Sequence, residues 1–154
     1  MYNHEPDGYI CPLCQIVKGE PTAKGPSEEA VILRTDHITV FVAGKWWKTN
    51  PSHVIIVPNT HIENIYTLPD EIGHAISDMS KRVAIALKEV CECEGVSTLQ
   101  HNELAGNQEV WHYHFHVVPR NTGDDFYHNI EKTYWPTMDE KRPLADKLRA
   151  FLKG

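Results

Sequence analysis

The chain has 154 residues, 41% apolar and 23% charged, with 15 Lys and Arg against 21 Asp and Glu for a formal charge of −6. That length suits one domain across residues 1–154, able to bury a core without disulfide staples, and the apolar fraction excludes a disordered chain. No apolar run approaches the ~20 residues of a membrane span, so no membrane partner is expected, and the acidic balance argues against a nucleic-acid polymer as partner.

Residues 1–10 are polar and read as a loose N-terminus. No basic segment followed by an apolar one opens the chain, so no secretory leader is expected and the protein is expected in the cytoplasm. In a reducing compartment, the close pairs Cys11-Pro-Leu-Cys14 and Cys91-Glu-Cys93 read better as metal ligands than as disulfides. Ala30–Thr35 and Ile38–Ala43 are β-branched runs around Asp36-His37, the pattern of a hairpin. Gly44 to Asn50 is a loop carrying Trp46 and Trp47. His53–Val57 predicts a short buried strand stopped by Pro58. A long helix is predicted from Asp70, where Ile72, Ile76, Met79, Val83, Leu87 and Val90 form one stripe, with Gly95 as its stop. Val96–Gln100 predicts a strand, and Val110–Val118 another, ended by Pro119. Residues 121–140 form an irregular arm with Trp135, and a short helix is predicted over 143–152. Strands and helices mix without a βαβ rhythm, so the fold class is α+β, a mainly antiparallel sheet with one long helix and a short C-terminal one.

The ten histidines are the compositional outlier. Alternation along Val110–Val118 puts His112, His114 and His116 on one face and Tyr113, Phe115 and Val117 on the other. Three readings fit that row: a solvent-facing strand, a metal site, or nucleophilic catalysis by one imidazole while its neighbours hold an anion. Neutral imidazole is a competent nucleophile near pH 7.

His112-Tyr-His-Phe-His-Val-Val118 resembles the histidine-triad (HIT) pattern, in which three histidines alternate with apolar residues. Asn102 to Trp111 looks like the turn preceding that motif. Pro51-Ser-His-Val-Ile-Ile-Val-Pro58 looks like the family's central strand, and Thr60 to Ile65 like the segment after that strand. The resemblance covers roughly Cys11 to Asp125. It implies a nucleotide hydrolase or nucleotidyl transferase cleaving at the α-phosphate of a nucleoside 5′-phosphate derivative. His114 then corresponds to the nucleophile. His116 and His53 correspond to the histidines that orient it or contact phosphate. The phosphate-binding turn falls on Gln108 with the backbone of Glu109 and Val110, and a phosphate-contacting amide falls near His101 and Asn102, of which Asn102 is chosen. The resemblance also implies a homodimer joined across the long helix and a central strand.

The Cys-x-x-Cys spacing of Cys11 and Cys14 suits one tetrahedral ion. Zinc-containing relatives place the other ligands at positions matching His61 and His112, so a structural zinc on Cys11, Cys14, His61 and His112 is expected. Cys91 and Cys93, at i and i+2 near a helix end, do not face the same way, with Cys91 expected nearer the buried stripe.

Several positions depart from the family pattern. Where many relatives carry a ribose-binding carboxylate, this chain has Ala43 to Asn50 without one, and Trp46 and Trp47 are open to base stacking, packing or dimer contact. Glu109 stands where Ser or Thr is common and is expected to point away from phosphate. Arg120, His4, His37, His74 and His128 read as surface residues. Two other function classes remain at this point: a zinc hydrolase using the histidine row as ligands, and a nucleotide-binding or scaffold protein with incidental catalysis.

Overall fold

Alternation along the two most buried strands decides which residues meet the helices and which meet the site. The computed structural model describes residues 2–23 and 27–153. In chain order these carry α1 (Pro12–Lys18), β1 (Val31–Arg34), β2 (Ile38–Val42), β3 (Trp46–Trp47), β4 (Val54–Pro58), α2 (Asp70–Cys91), β5 (Gly95–Gln100), β6 (Phe115–Arg120), β7 (Thr133–Tyr134) and α3 (Met138–Lys153). The main sheet has the order β1-β2-β4-β6-β5, every pair antiparallel, and β3 pairs with β7 in a separate ribbon. This is the expected α+β architecture.

One face of the sheet sends Val40, Val42, Val54, Ile56 and Val117 against Ile76, Met79, Val83 and Leu87 of α2 and Leu144 and Leu148 of α3. The opposite face carries Phe41 and Val57, which pack with Leu13 and Ile16 of α1. His53, Ile55 and Val57 share that second face by the two-residue period, and Ile55 stands opposite His116 in the β4–β6 register. Two of the histidines are thus delivered to one place by pleat and register.

Five sequence expectations need correction. The strand expected over Val110–Val118 begins only at Phe115 and runs through Pro119 to Arg120. Its ladder with β4 fails where Pro58 stands: proline has no N–H, and its carbonyl instead accepts from His112 Nε2 at 3.0 Å. Residues 110–114 follow an irregular path, with Tyr113 N donating to Ile62 O. Pro119 is tolerated because β4 has already ended. Its carbonyl accepts from Asn50 Nδ2 on that side, so its missing N–H opposes no strand.

The long helix ends before Gly95: Glu92 takes the left-handed cap with φ 53°, and Gly95 opens β5. That cap folds Cys93 beneath the helix end, where its Sγ meets Leu87 O, so Cys93 is the more buried of the pair. The C-terminal helix starts at Met138, five residues early. Thr137 and Glu140 form a capping box: Glu140 N donates to Thr137 Oγ1 and Thr137 N to Glu140 Oε2. Residues 2–10 lack regular structure yet are tied down, since the carboxylate of buried Glu63 accepts from His4 N and Glu5 N.

Candidate active site and metal cluster

The cysteines sit around the start of α1. Cys11 is its N-cap, with Cys14 N donating to Cys11 Sγ, and Pro12 fills the first helical position, where no N–H is needed. That turn aims both sulfurs at two histidines. Cys11 Sγ lies 3.3 Å from His112 Nδ1, and Cys14 Sγ 3.2 Å from His61 Nδ1 and 3.5 Å from His112 Nδ1. One ligand atom from each of Cys11, Cys14, His61 and His112 lies within 4.8 Å of all the others. The far nitrogens are already engaged, His61 Nε2 by Glu5 Oε2 at 2.8 Å and His112 Nε2 by Pro58 O. Both imidazoles therefore turn Nδ1 toward the thiols, with the outer hydrogen bonds that orient metal-bound histidines. Burial and then the neighbouring Cys11 push the Cys14 thiol up to about 12. Two sulfurs and two imidazole nitrogens at this spacing fit a tetrahedral zinc ion.

A second cluster opens on the sheet face away from α2. Behind α1, a cavity of about 530 Å³ is walled by Phe41, Ile55, His53, His101, His114 and His116, with Trp47 and Trp135 beside them. The histidine row is thus divided. His112 is fully buried and faces the thiols, while His114 and His116 face the cavity. His114 Nδ1 lies 2.7 Å from His112 O, so it donates there and Nε2 keeps its lone pair. The rings of His114 and His116 are 5.0 Å apart, those of His53 and His116 5.4 Å. Nδ1 of both His53 and His116 is buried without a partner among the described residues.

Burial sets the charge of this cluster. It pushes His53 down to about 3, with His114 and Lys45 adding to the effect. It holds His116 well below its ordinary value, helped by His114 and His53. His114 is lowered too, chiefly by burial, against the bond to His112 O, which raises it. Near pH 7 the row offers neutral imidazoles.

The expected phosphate turn has a mixed fate. Glu109 and Val110 line the cavity. Gln108 is buried and turned inward: its Oε1 accepts from Glu103 N at 2.8 Å, and its Nε2 donates to Glu63 O at 2.6 Å and Val110 O at 3.1 Å. It shapes the turn instead of lining it. Asn102 also lies off the wall, accepting from Ile65 N at 2.8 Å and donating to Gln100 Oε1 at 2.6 Å. Its neighbour His101 takes the wall position, held by Gly106 O at 2.8 Å.

Trp46 is core, edge-on to Tyr134, while Trp47 lies over His53 at 4.5 Å and donates Nε1 to Ile130 O. The arm is a wall, not a free loop: Ile130, Glu131, Thr133 and Trp135 close one side of the cavity. Lys45 and the arm residues were not singled out from the sequence. Their signal lies in the β3–β7 pairing, between segments more than eighty residues apart, which no local pattern announces. His4, His37, His74 and His128 are exposed. Arg120 pairs with Asp124 and covers Phe126, so it does not enter the site.

A HIT domain model matches residues 24–123, about two thirds of the chain. The chain belongs to the HIT family. Protein hit of Bacillus subtilis is 31% identical to this HIT protein over 134 residues, covering 86% of this chain and 84% of the relative. The adenosine 5′-monophosphoramidase hnt1 of Schizosaccharomyces pombe is 29% identical over 144 residues, 93% of this chain and 98% of its own. The fold matches a Zn-bound histidine triad family protein from Mycobacterium smegmatis with a TM-score of 0.72 at 24% identity over 93% of each chain. Among the described residues, no helix is long and apolar enough to cross a membrane.

Proposed function

We propose that this HIT protein is a nucleotide hydrolase or nucleotidyl transferase acting at the α-phosphate of a nucleoside 5′-phosphate derivative, through a covalent nucleotidyl intermediate on His114. The observation that carries this reading is the 2.7 Å contact from His114 Nδ1 to His112 O at the wall of a nucleotide-sized cavity. With Nδ1 donating, Nε2 is the nitrogen free to attack. A bond forms from Nε2 to the α-phosphorus as the bond to the leaving group breaks, the leaving group taking that electron pair. The His112 carbonyl then faces the positive charge that develops on the ring. Water next displaces His114 and releases the nucleoside monophosphate, or another acceptor displaces it and leaves carrying the nucleotidyl group. The rings of His116 and His53 line the cavity beside the nucleophile, which suits contact with phosphoryl oxygens. The relative named for adenosine 5′-monophosphoramidase activity supports the substrate class. The expected test is mass spectrometry after rapid mixing with adenosine 5′-phosphoramidate and diadenosine polyphosphates. An adenylyl adduct should appear on His114, and His114→Ala should lose at least about 10³-fold in turnover. Wild-type turnover by His114→Ala would overturn the mechanism.

In the same reading Cys11, Cys14, His61 and His112 hold a structural zinc. Bound there with four protein ligands, it would cross-link the start of α1 to the segment carrying His114 and leave no open position for substrate. The rival reading, one catalytic ion on the whole histidine row, has the geometry against it, because His112 turns to the thiols. Cytoplasmic residence and a homodimer complete the proposal. Its dimer part is supported by the open edge strand β5 and by Ile85, 48% exposed on α2. A monomer mass by sedimentation at micromolar concentration would remove the dimer.

A further inference from the structure

The cavity wall carries a charge arrangement that the histidine chemistry leaves unused. Among the described residues lining it, Lys45 is the one lysine or arginine, while Glu109 and Glu131 supply two carboxylates. Lys45 Nζ lies 2.5 Å from Glu109 Oε2, which spends the cavity's fixed positive charge on an internal ion pair. The imidazoles of His53 and His116 do not replace it, since burial holds both neutral. A phosphate entering this cavity therefore meets a wall of net negative fixed charge while the pair stays closed.

The pair is built to open. Glu109 is 71% exposed and Lys45 34%, and an ion pair that open to water contributes little. A phosphoryl group offers Lys45 more acceptor oxygens than one carboxylate, and the AMP dianion offers more charge as well. The backbone beneath Lys45 is fixed on both sides: Ala43 N donates to His53 O, and Trp46 is buried in the core. The ammonium is thus free to move while its stem stays at the site. It is near enough to His53 and His116 for its charge to act on both rings.

Resting on the nucleotide reading above, we infer that Lys45 is a substrate-binding residue that exchanges the Glu109 carboxylate for the substrate's phosphate. Glu109 is then the competing anion that sets how strongly a phosphate must bind to enter. The exchange breaks one ion pair and makes another, with no proton moved.

The test is calorimetric titration of AMP, with adenosine as an uncharged probe, against wild type, Lys45→Gln, Lys45→Arg, Glu109→Gln and the Lys45→Gln/Glu109→Gln double variant. Lys45→Gln should weaken AMP about ten- to hundredfold and leave adenosine unchanged, and Lys45→Arg should restore most of the loss. Glu109→Gln should tighten AMP up to about fivefold. That gain should vanish once Lys45 is already Gln, because no pair remains to break. An equal gain in both backgrounds would show plain repulsion by Glu109 and overturn the exchange. AMP binding that Lys45→Gln leaves unchanged, or an equal loss of AMP and adenosine, would overturn the role of Lys45 alone. A wild-type protein that binds no AMP at all would instead overturn the nucleotide reading, and the exchange with it.

Discussion

Asp124 holds the arm that walls the cavity, and replacing it with alanine should be costly. Its Oδ2 accepts from Arg120 Nε at 2.7 Å, Asn50 Nδ2 at 2.6 Å and Asn121 N at 3.0 Å, and its Oδ1 from Arg120 Nη2 at 2.8 Å and Phe126 N at 3.1 Å. The two charged side chains are 7% and 20% exposed. Removing one partner of a buried pair costs about 3–5 kcal/mol, because the other charge stays behind unpaired. Arg120 keeps some water, Ser97 Oγ and the Phe126 ring 4.6 Å below its guanidinium, which places the cost near the lower end, about 3 kcal/mol. For a chain of this size that is a fall in Tm of about 6–12 °C.

Asp124→Asn keeps the shape and the acceptor for the backbone amides and should lose about half as much. The effect is also tied to pH. Arg120, then the bonds from Asn50 and the backbone, hold the Asp124 carboxyl well below the usual carboxylate range. A group depressed in the folded state contributes stability that is complete above its unfolded value, about 3.9, and is lost as pH falls through its folded value. The gap in Tm between wild type and Asp124→Ala should therefore be full at neutral pH and close progressively below about pH 4. Differential scanning calorimetry from neutral pH into acid reads both quantities. A loss of less than about 2 °C at neutral pH, or a gap that widens in acid, would refute the reasoning.

Chelation of the metal, or Cys14→Ala, should remove zinc measured by elemental analysis. It should lower Tm by at least about 4–8 °C, and activity should fall in step. Activity lost with an unchanged Tm would point to a catalytic ion. Gln108→Ala strips the buried Glu63 carbonyl of a 2.6 Å donor and should cost about 2 kcal/mol, read as a shifted urea midpoint. A midpoint within error of wild type would show that the turn around Glu109 holds without it.

The α+β class, the stripe of α2 and the Cys11–Cys14 pair were legible in the sequence because each rests on local spacing, whereas His61 and His112 came only from the resemblance to zinc-containing relatives. Periods of two and near four assign faces, and two cysteines three apart reach one ion whatever surrounds them. Tertiary structure decided the rest. Pro58 cut the strand at Phe115, so it was pairing with β4, not the local apolar pattern, that set where the ladder begins. The division of the histidine row, His112 toward the cysteines and His114 and His116 toward the cavity, is the one the resemblance implied, and the approach of α1 with its two sulfurs realises it. The choice between Asn102 and His101, the inward turn of Gln108 and the meeting of Lys45 with Glu109 each depend on partners about five to sixty-four positions away. Side-chain identity says what a residue can bond to, but only the packed chain brings a partner within reach, since a hydrogen bond is worth nothing beyond a few ångströms and exposed charges are screened within about 8–10 Å.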